Sequence, residues 1–582
     1  YEEIWGSYSF VQGLVDQAYQ YMPRNYNDNE GYYLDGATDD AVITSNTHAM
    51  TKLATGTLLP STTFDEYWRD DYRAISLLNL FLKDNRGYKS RFLLDDNDNE
   101  LVRTRLQGEA FALRAWVQWD LLKKFGGRGM DGEYLGFPIL LEPLMDEVKE
   151  MAELNFPRNT YVECMKQIQD DCDSAYKYLP IAHRNFIADQ NGWNKTYSGG
   201  RYWGRIDGIT TRAILAEMYL TWASPLYNPG NELSRWEKAA GYAKEVIDFK
   251  LNVDGKVTNG FNPANRVLWT SPNFQGIVIS SRVDGSSATN INVNTSTMES
   301  ALFPSKYQGN GVLGATQELV DAFPMKNGYP ITDPRSGYDP DDPYKDRDPR
   351  FYSVIYYNGA QIRKDNTGDL WYTFENWENA LDANNPEGKD AAGKNNVSRT
   401  NYHIKKFLSR TVNFSHSTVT REPHSKFYYR WAHMVLMFAE AANEFEGPDG
   451  HFFGLSAKEA IAYLRTRKTY DNVELFVTDP YLDEVAAAGQ NEFRQFIRNE
   501  SRIETCFEGL RFYNLRRWAT SLEVLNMPVH KATVNRNADG TFTYGKDVVQ
   551  SRIYTSFFLP IPYNEMLKMD NLIQNEGWDS WQ

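Results

Sequence analysis

The sequence predicts a mainly α fold, in which a scaffold of tetratricopeptide-like helical repeats carries a loop-rich, irregular lobe. Three observations lead to this prediction. Several long segments place apolar residues at helical spacing, these segments mix alanine with large aromatic residues, and the middle of the chain is rich in Gly, Asn, Asp, Pro and Ser. Small residues let helices approach closely while aromatic rings fill the remaining space, as in helix-hairpin repeats. The repeat is loose, with no strict period of about 34 residues.

The helices of the scaffold are predicted from the spacing of apolar residues. Over 430–445, apolar residues recur three and four positions apart from Trp431 to Phe445, which is typical of one face of an amphipathic helix. Segments 108–124 and 209–222 show the same pattern. It also predicts helices at 6–22, 65–84, 159–178, 235–249, 456–467 and 491–508.

The middle of the chain has a different composition and predicts the irregular lobe. Short β-like pieces are expected at 276–280 and 351–357, with turn residues between them. Loops carried on a rigid scaffold are where ligands usually bind, so we expect this lobe to carry much of the ligand site. We therefore divide one structural unit into the N-terminal scaffold 1–255, the loop-rich lobe 256–425 and the C-terminal scaffold 426–582.

The overall charge and the aromatic content limit the classes of ligand. The 582 residues include 62 basic and 77 acidic residues, a net charge of −15. An acidic surface repels phosphate backbones and anionic lipid heads, which disfavours nucleic-acid binding and electrostatic membrane docking. A neutral sugar is compatible with this charge. Aromatic residues make up 14% of the chain, and many lie in Gly-, Asn- and Asp-rich stretches, where their faces are suitable platforms for pyranose rings.

Cysteine usage and hydropathy indicate neither a disulfide framework nor a membrane span. Cys164, Cys172 and Cys506 are odd in number and lack CxxC spacing, so we interpret them as three core thiols. No apolar run approaches the roughly 18 residues that a membrane span needs. The chain starts at Tyr1, which we interpret as a processing or cloning boundary, with any export signal or lipid-bearing cysteine upstream.

The sequence shows no catalytic or cofactor-binding motif, and its candidate metal ligands lack the usual spacing. HExxH, GxSxG and Walker motifs are absent. His416 and His424 flank Glu422 without zinc-ligand spacing, and segment 95–100 lacks the glycine of an EF-hand loop, so solvated loops are favoured. A glycoside hydrolase of helical fold stays an alternative, because among 77 acidic residues some pair always meets the distance that hydrolysis needs.

Six segments of the chain resemble the conserved blocks of one known family, in that family's order. They are 109–127 (EAFALRAWVQWDLLKKFGG), 211–228 (TRAILAEMYLTWASPLYN), 347–351 (RDPRF), 430–444 (RWAHMVLMFAEAANE), 496–518 (FIRNESRIETCFEGLRFYNLRRW) and 558–578 (FLPIPYNEMLKMDNLIQNEGW).

By these blocks the chain is identified as a member of the SusD/RagB family of nutrient-uptake lipoproteins. It departs from the usual family residues at His433, Cys506 and Asn514. The resemblance implies a non-enzymatic, surface-exposed protein, lipid-anchored outside the outer membrane. Such a protein captures an oligosaccharide or polysaccharide, or in a minority of relatives a peptide, and delivers it to a SusC-like TonB-dependent transporter. A peptide-binding interaction protein of the tetratricopeptide type stays a further alternative.

The densely charged block 496–518 is interpreted as structural. Glu500, Glu504 and Glu508 follow one another at helical spacing with arginines between them, which suits ion pairs that tether helices.

The first candidate ligand site lies in the segment 360–380. Arg363 is followed by Trp371, Tyr372 and Trp377, a combination of stacking surfaces and a charged donor that suits a sugar. In the alternative interpretation, residues 371, 374 and 377 form the buried face of a short helix.

Three further sites are candidates. Tyr33, Asp39 and Asp40 follow the first helix, where in the resembled family an acidic pair often lies by the ligand; turn capping is the alternative. The others share a polar or glycine-flanked context: Asn290, Tyr307 and Trp193. Trp116, Trp119 and Trp431 are assigned to the core.

Overall fold

The fold is described from a computed structural model of the chain. It describes residues 5, 7–22, 32–60, 64–143, 155–183, 192–252, 277–280, 297–363, 371–408, 427–467, 475–476 and 478–581.

The described residues form a mainly α fold, as predicted from the sequence. In chain order the helices are α1 (Tyr8–Ala18), α2 (Ala49–Ala54), α3 (Asp65–Leu82), α4 (Arg86–Lys89), α5 (Asp96–Phe125), α6 (Tyr161–Tyr178), α7 (Lys195–Ser198), α8 (Gly208–Ala223), α9 (Leu233–Asn252), α10 (Thr297–Leu302), α11 (Gln317–Ala322), α12 (Pro349–Val354), α13 (Trp431–Glu446), α14 (Ala457–Arg465), α15 (Pro480–Ala487), α16 (Gln490–Glu504), α17 (Leu510–Trp518), α18 (Glu523–Asn526) and α19 (Tyr563–Met566).

The long helices pack in sequential pairs and form a helical-repeat scaffold. Helix α5 packs against α6, α8 against α9, and α13 against α14, while α9 also packs against α13 across the lobe insertion. Helix α8 is buried over most of its length, because its alanines let neighbouring helices approach on more than one side. The prediction of a helical scaffold is therefore confirmed.

Several helices begin at residues whose side chains cap the first turn. Thr160 and Glu163 form a capping box at α6, and Ser456 and Glu459 form another at α14. The acidic run 95–100 also marks a helix start, because the Asp95 carboxylate accepts a hydrogen bond from the Asp98 backbone N–H.

The strands are short and pair two by two in antiparallel fashion. The pairs are β1 (Ala41–Ile43) with β5 (Leu313–Ala315), β2 (Gly127–Arg128) with β3 (Tyr134–Leu135), β4 (Ile277–Ser280) with β10 (Phe427–Arg430), β6 (Ile355–Tyr356) with β9 (His403–Ile404), β7 (Gln361–Arg363) with β8 (Trp371–Thr373), and β11 (Val529–Arg536) with β12 (Phe542–Gln550).

The two β-like pieces predicted in the lobe have different outcomes. The piece at 276–280 is confirmed as β4. The piece at 351–357 is wrong in its first half, because helix α12 runs to Val354 and only β6 is extended. Asp348 caps this helix and Pro349 occupies its first position, and both residues favour a helix start over a strand.

The core contains the residues that the sequence assigned to it. Trp116, Trp119 and Trp431 are each at most 3% exposed. The three cysteines are buried free thiols, so the interpretation as core thiols is confirmed. Among the described residues, none of the helices combines the length and the apolar character that crossing a membrane requires.

Candidate functional site

Three of the sequence blocks meet in a buried network of ion pairs around α16. Glu504 accepts hydrogen bonds from Arg467 at 2.8 Å, Arg350 at 3.2 Å and Arg430 at 3.3 Å. Arg350 also reaches Glu500. The charges of block 496–518 thus form structural ion pairs, as predicted, but with partners that lie far away in sequence.

The neighbouring Glu508 is held in the same way. It accepts from Arg430 and Lys406, each at 2.6 Å, and contacts His433 Nε2 at 2.7 Å. Burial by itself raises the pKa of Glu508, but Arg430 and Lys406 outweigh it and hold the pKa well below its ordinary value. A carboxylate fixed as an anion by two cations is suited to joining segments and poorly suited to exchanging protons.

The acidic pair after the first helix is also engaged in ion pairs. Arg511 donates to both oxygens of Asp39, at 2.8 and 2.9 Å, and Arg502 donates to Asp40 at 2.6 Å. Asp40 is fully buried, whereas the Asp39 side chain is 19% exposed. The pair therefore ties the segment before β1 to α16 and α17. The assignment of Asp40 to a binding surface is wrong, because burial keeps it from a ligand, and Asp39 alone of the two reaches the surface.

Three residues of the first candidate site, Arg363, Trp371 and Tyr372, lie in one β-hairpin of the lobe. Strands β7 and β8 pair so that Arg363 lies opposite Trp371 and Ile362 lies opposite Tyr372. The alternative of a short helix through residues 371, 374 and 377 is wrong, because residues 371–373 are extended. Phe374 anchors the end of the hairpin in the core by stacking on Tyr356 with ring centroids 4.5 Å apart.

Trp377 is half-buried beside the hairpin formed by β11 and β12. Its Nε1–H donates to the Pro386 carbonyl at 3.0 Å. The Arg536 guanidinium lies 5.2 Å from the centre of its ring, and the Phe542 ring lies 5.6 Å away. The Glu378 N–H also donates to the Val534 carbonyl at 2.8 Å. The β11–β12 hairpin thus fixes the position of Trp377, and part of the indole stays accessible.

We call the region made of residues 361–363, 371–379 and 534–542 the lobe face. The segment 534–542 is not among the candidate positions predicted from the sequence. The alternation of apolar and polar residues in 529–536 and the turn sequence Asn-Ala-Asp-Gly at 537–540 are signals of a β-hairpin and could have revealed it.

The remaining candidates are separate from the lobe face in sequence and differ in exposure. Tyr307 is 1% exposed and packs edge-on against Phe303, so its assignment to a binding surface is wrong and it belongs to the core. The polar residues around it disguised a position that tertiary packing buries. Trp193 is half-buried just before α7. Asn290 lies outside the described residues, as does the His416–His424 segment, and Tyr33 lies in a short 3₁₀ helix at 32–37.

Two protein-family models together match most of the chain. Residues 275–578, more than half of the sequence, match the model described as the SusD family. The chain is a member of the SusD family. Residues 7–189 match a second model, described as starch-binding proteins associating with the outer membrane. The resemblance identified from six sequence blocks is thus confirmed. No curated protein sequence matches this SusD-family chain.

Solved structures show the same fold over nearly the whole chain. A SusD-like protein from Bacteroides fragilis aligns with a TM-score of 0.72 at 22% identity, covering 99% of this chain and 98% of its own. A SusD-like carbohydrate-binding protein from the same species aligns with a TM-score of 0.70 at 19% identity, covering 98% and 99%. A surface glycan-binding protein A from Bacteroides uniformis aligns with a TM-score of 0.60 at 16% identity, covering 98% and 100%.

Proposed function

We propose that this SusD-family protein is a non-enzymatic glycan-binding protein of the cell surface. It captures oligosaccharides and delivers them to a SusC-like TonB-dependent transporter of the outer membrane. The observation that carries the proposal is the SusD-family match over 275–578, which includes the whole lobe face.

The lobe face provides the chemistry that an oligosaccharide needs. Pyranose rings present apolar C–H faces and polar hydroxyl groups. Trp371, Tyr372 and Trp377 supply aromatic surfaces, and Arg363 supplies a charged hydrogen-bond donor. Because a few stacked rings and polar contacts contribute little net free energy, affinity should be weak, with a dissociation constant of roughly micromolar to millimolar. Weak binding also suits a protein that must release its cargo.

The other candidates extend this site in the proposal. Tyr33, Asp39, Trp193 and Asn290 are proposed as secondary contacts for longer chains. Asp40 supports them indirectly, because it is buried and holds Arg502 in place.

The family match near the N-terminus, over residues 7–189, supports the proposed location. The matched model describes proteins that associate with the outer membrane. We place this chain there as well, held by a lipid anchor and docked through its helical scaffold on the transporter as a lid. Purification of the anchored protein from native membranes in mild detergent tests this placement, and recovery of the protein without any transporter contradicts it.

Binding without hydrolysis is the expected activity. In native affinity gels that each contain one polysaccharide of a panel, at least one neutral glycan should slow the migration of the protein. The bound glycan should then be supplied in large molar excess over the protein and assayed for new reducing ends. Product in excess of the protein, abolished by a single carboxylate substitution, would show a hydrolase instead. Binding of peptides and of no glycan would show an interaction protein.

A further inference from the structure

A cleft that shares no residue with the lobe face opens in the helical scaffold. Its volume is about 740 Å³, within the range of about 300–1,000 Å³ for small-molecule sites. Helix α16, the end of α17, the segment that joins α8 to α9 and the C-terminal segment surround it. The residues that decide its chemistry are Tyr134, Trp236, Arg494, Gln495, Arg498 and Trp518.

Most charges that line this cleft are paired with each other. Arg494 donates to both oxygens of Glu444, and Arg128 donates to Glu576 at 2.7 Å. Arg498 lines the same cleft and forms no ion pair with any described residue. The cleft therefore carries one positive charge in excess, although the protein as a whole is strongly acidic.

Arg498 packs against an aromatic ring, but no carboxylate pairs with its charge among the described residues. Its guanidinium lies 5.0 Å from the centre of the Trp518 ring. The nearby carboxylate of Glu440 is already occupied by Arg517, at 2.6 Å to each oxygen, and by the Trp518 Nε1–H. The Arg498 Nε–H is buried and finds no acceptor among the described residues. Burial lowers the pKa of Arg498, as expected for a partly desolvated cation without a close counter-ion.

We propose that this cleft binds the carboxylate of an acidic saccharide, a hexuronate residue, with Arg498 as the principal ligand-binding residue. A guanidinium presents a planar fork of donors that matches a carboxylate in two parallel hydrogen bonds. Gln495, one turn away on α16 and exposed, can donate to a sugar hydroxyl, and the half-buried Tyr134 supplies an apolar surface for the ring. The inference rests on the proposed glycan-binding function for the class of ligand, but the cleft is separate from the lobe face.

Calorimetric titration at low ionic strength tests this assignment. The probes are trigalacturonate, trimannuronate and a glucuronate trisaccharide, each compared with the neutral trisaccharide of the same linkage. Arg498→Gln should weaken binding of at least one hexuronate by about 10- to 100-fold, the loss expected for a charge-assisted hydrogen-bond pair. Arg498→Lys keeps the charge but loses the fork, and its affinity should be intermediate.

A matched control separates this effect from a general loss of charge. Arg73→Gln removes an arginine that is 55% exposed and contacts Asp70 at 3.4 Å, outside the cleft, and should leave hexuronate affinity unchanged. Trp371→Ala, in the lobe face, should weaken binding of neutral glycans but not of the hexuronate. The two variants therefore test the two proposed sites separately. If Arg498→Gln does not fold, Arg498→Lys and Gln495→Ala provide the comparison.

Several outcomes would overturn the assignment. One is that no hexuronate binds better than its neutral counterpart, and another is that both Arg498 variants retain wild-type affinity. Displacement of the hexuronate by acetate at equal concentration would show a site for any carboxylate. Binding of triglutamate with the same dependence on Arg498, and of no hexuronate, would show a site for acidic peptides.

Discussion

Replacement of Glu504 by glutamine should destabilise the protein strongly, because it removes the anion on which three arginines converge. Arg467, Arg350 and Arg430 together outweigh the effect of burial and lower the pKa of Glu504 from its ordinary value of 4.5 to about 2. A difference of about 2.5 pKa units corresponds to about 3 kcal/mol of stability. Removing one partner from a buried ion pair typically costs about 3–5 kcal/mol, so both arguments lead to the same magnitude.

The effect of the Glu504→Gln substitution should depend on pH in a defined direction. Because the folded-state pKa of Glu504 lies below its unfolded value, the stabilisation is fully present above pH 4.5. It is lost as the pH falls through about 2. A protonated glutamic acid resembles glutamine in shape and charge. The difference in unfolding free energy between the wild type and the variant should therefore shrink over this pH interval.

Urea unfolding, followed by fluorescence from pH 7 down to pH 3, measures this difference. Glu387→Gln is the matched control, since the Glu387 side chain is 52% exposed and meets Lys394 at 3.5 Å. The control should change stability by no more than about 1 kcal/mol. A loss below about 1 kcal/mol in Glu504→Gln, or a loss that is the same at every pH, would refute the argument that the network stabilises the fold through its charge.

Three further outcomes are expected. Trp377→Ala should weaken glycan binding severalfold. It should also lower the free energy of unfolding by about 1–3 kcal/mol, less than the loss of a core tryptophan, because the Trp377 ring is half-buried. Unchanged affinity in calorimetry would remove Trp377 from the site. Cys164 and Cys506, whose pKa values burial raises to about 12, should not react with a thiol reagent until the protein unfolds; fast native labelling would contradict their burial. Asp39→Asn should lower the free energy of unfolding, measured in urea, by about 1–3 kcal/mol, because it weakens the ion pair with Arg511. Unchanged stability would contradict this role.

The helices were predictable because their signals are local. The spacing of apolar residues over 430–445 locates α13 to within a residue at each end, because this spacing continues along nearly the whole helix. The failure at 351–357 has the opposite cause. Phe351 and its neighbours favour a strand by composition, but the capping residues Asp348 and Pro349 decide the local structure.

The candidate site was predictable only in part, because burial depends on segments far away in the chain. Tyr307 sits among polar residues, yet its neighbours in space bury it. Trp377 is fixed by Arg536 and Phe542, more than 150 positions away, and no pattern near residue 377 shows this. The partners of Glu504 were likewise hidden, because the sequence shows the charged blocks and not their contacts.

The central claim is that this protein binds a glycan on the lobe face without cleaving it. Calorimetric titration of the best-retained neutral oligosaccharide into the wild type, Trp371→Ala and Trp578→Ala tests it most directly. Trp578 is the control, because it is a tryptophan outside the lobe face; it is half-buried, and its Nε1–H donates to the Phe558 carbonyl at 2.9 Å. We expect weak binding, without product release, to the wild type and Trp578→Ala, and loss of binding in a folded Trp371→Ala protein. Full affinity in Trp371→Ala, or no binding of any glycan by the wild type, would contradict the claim.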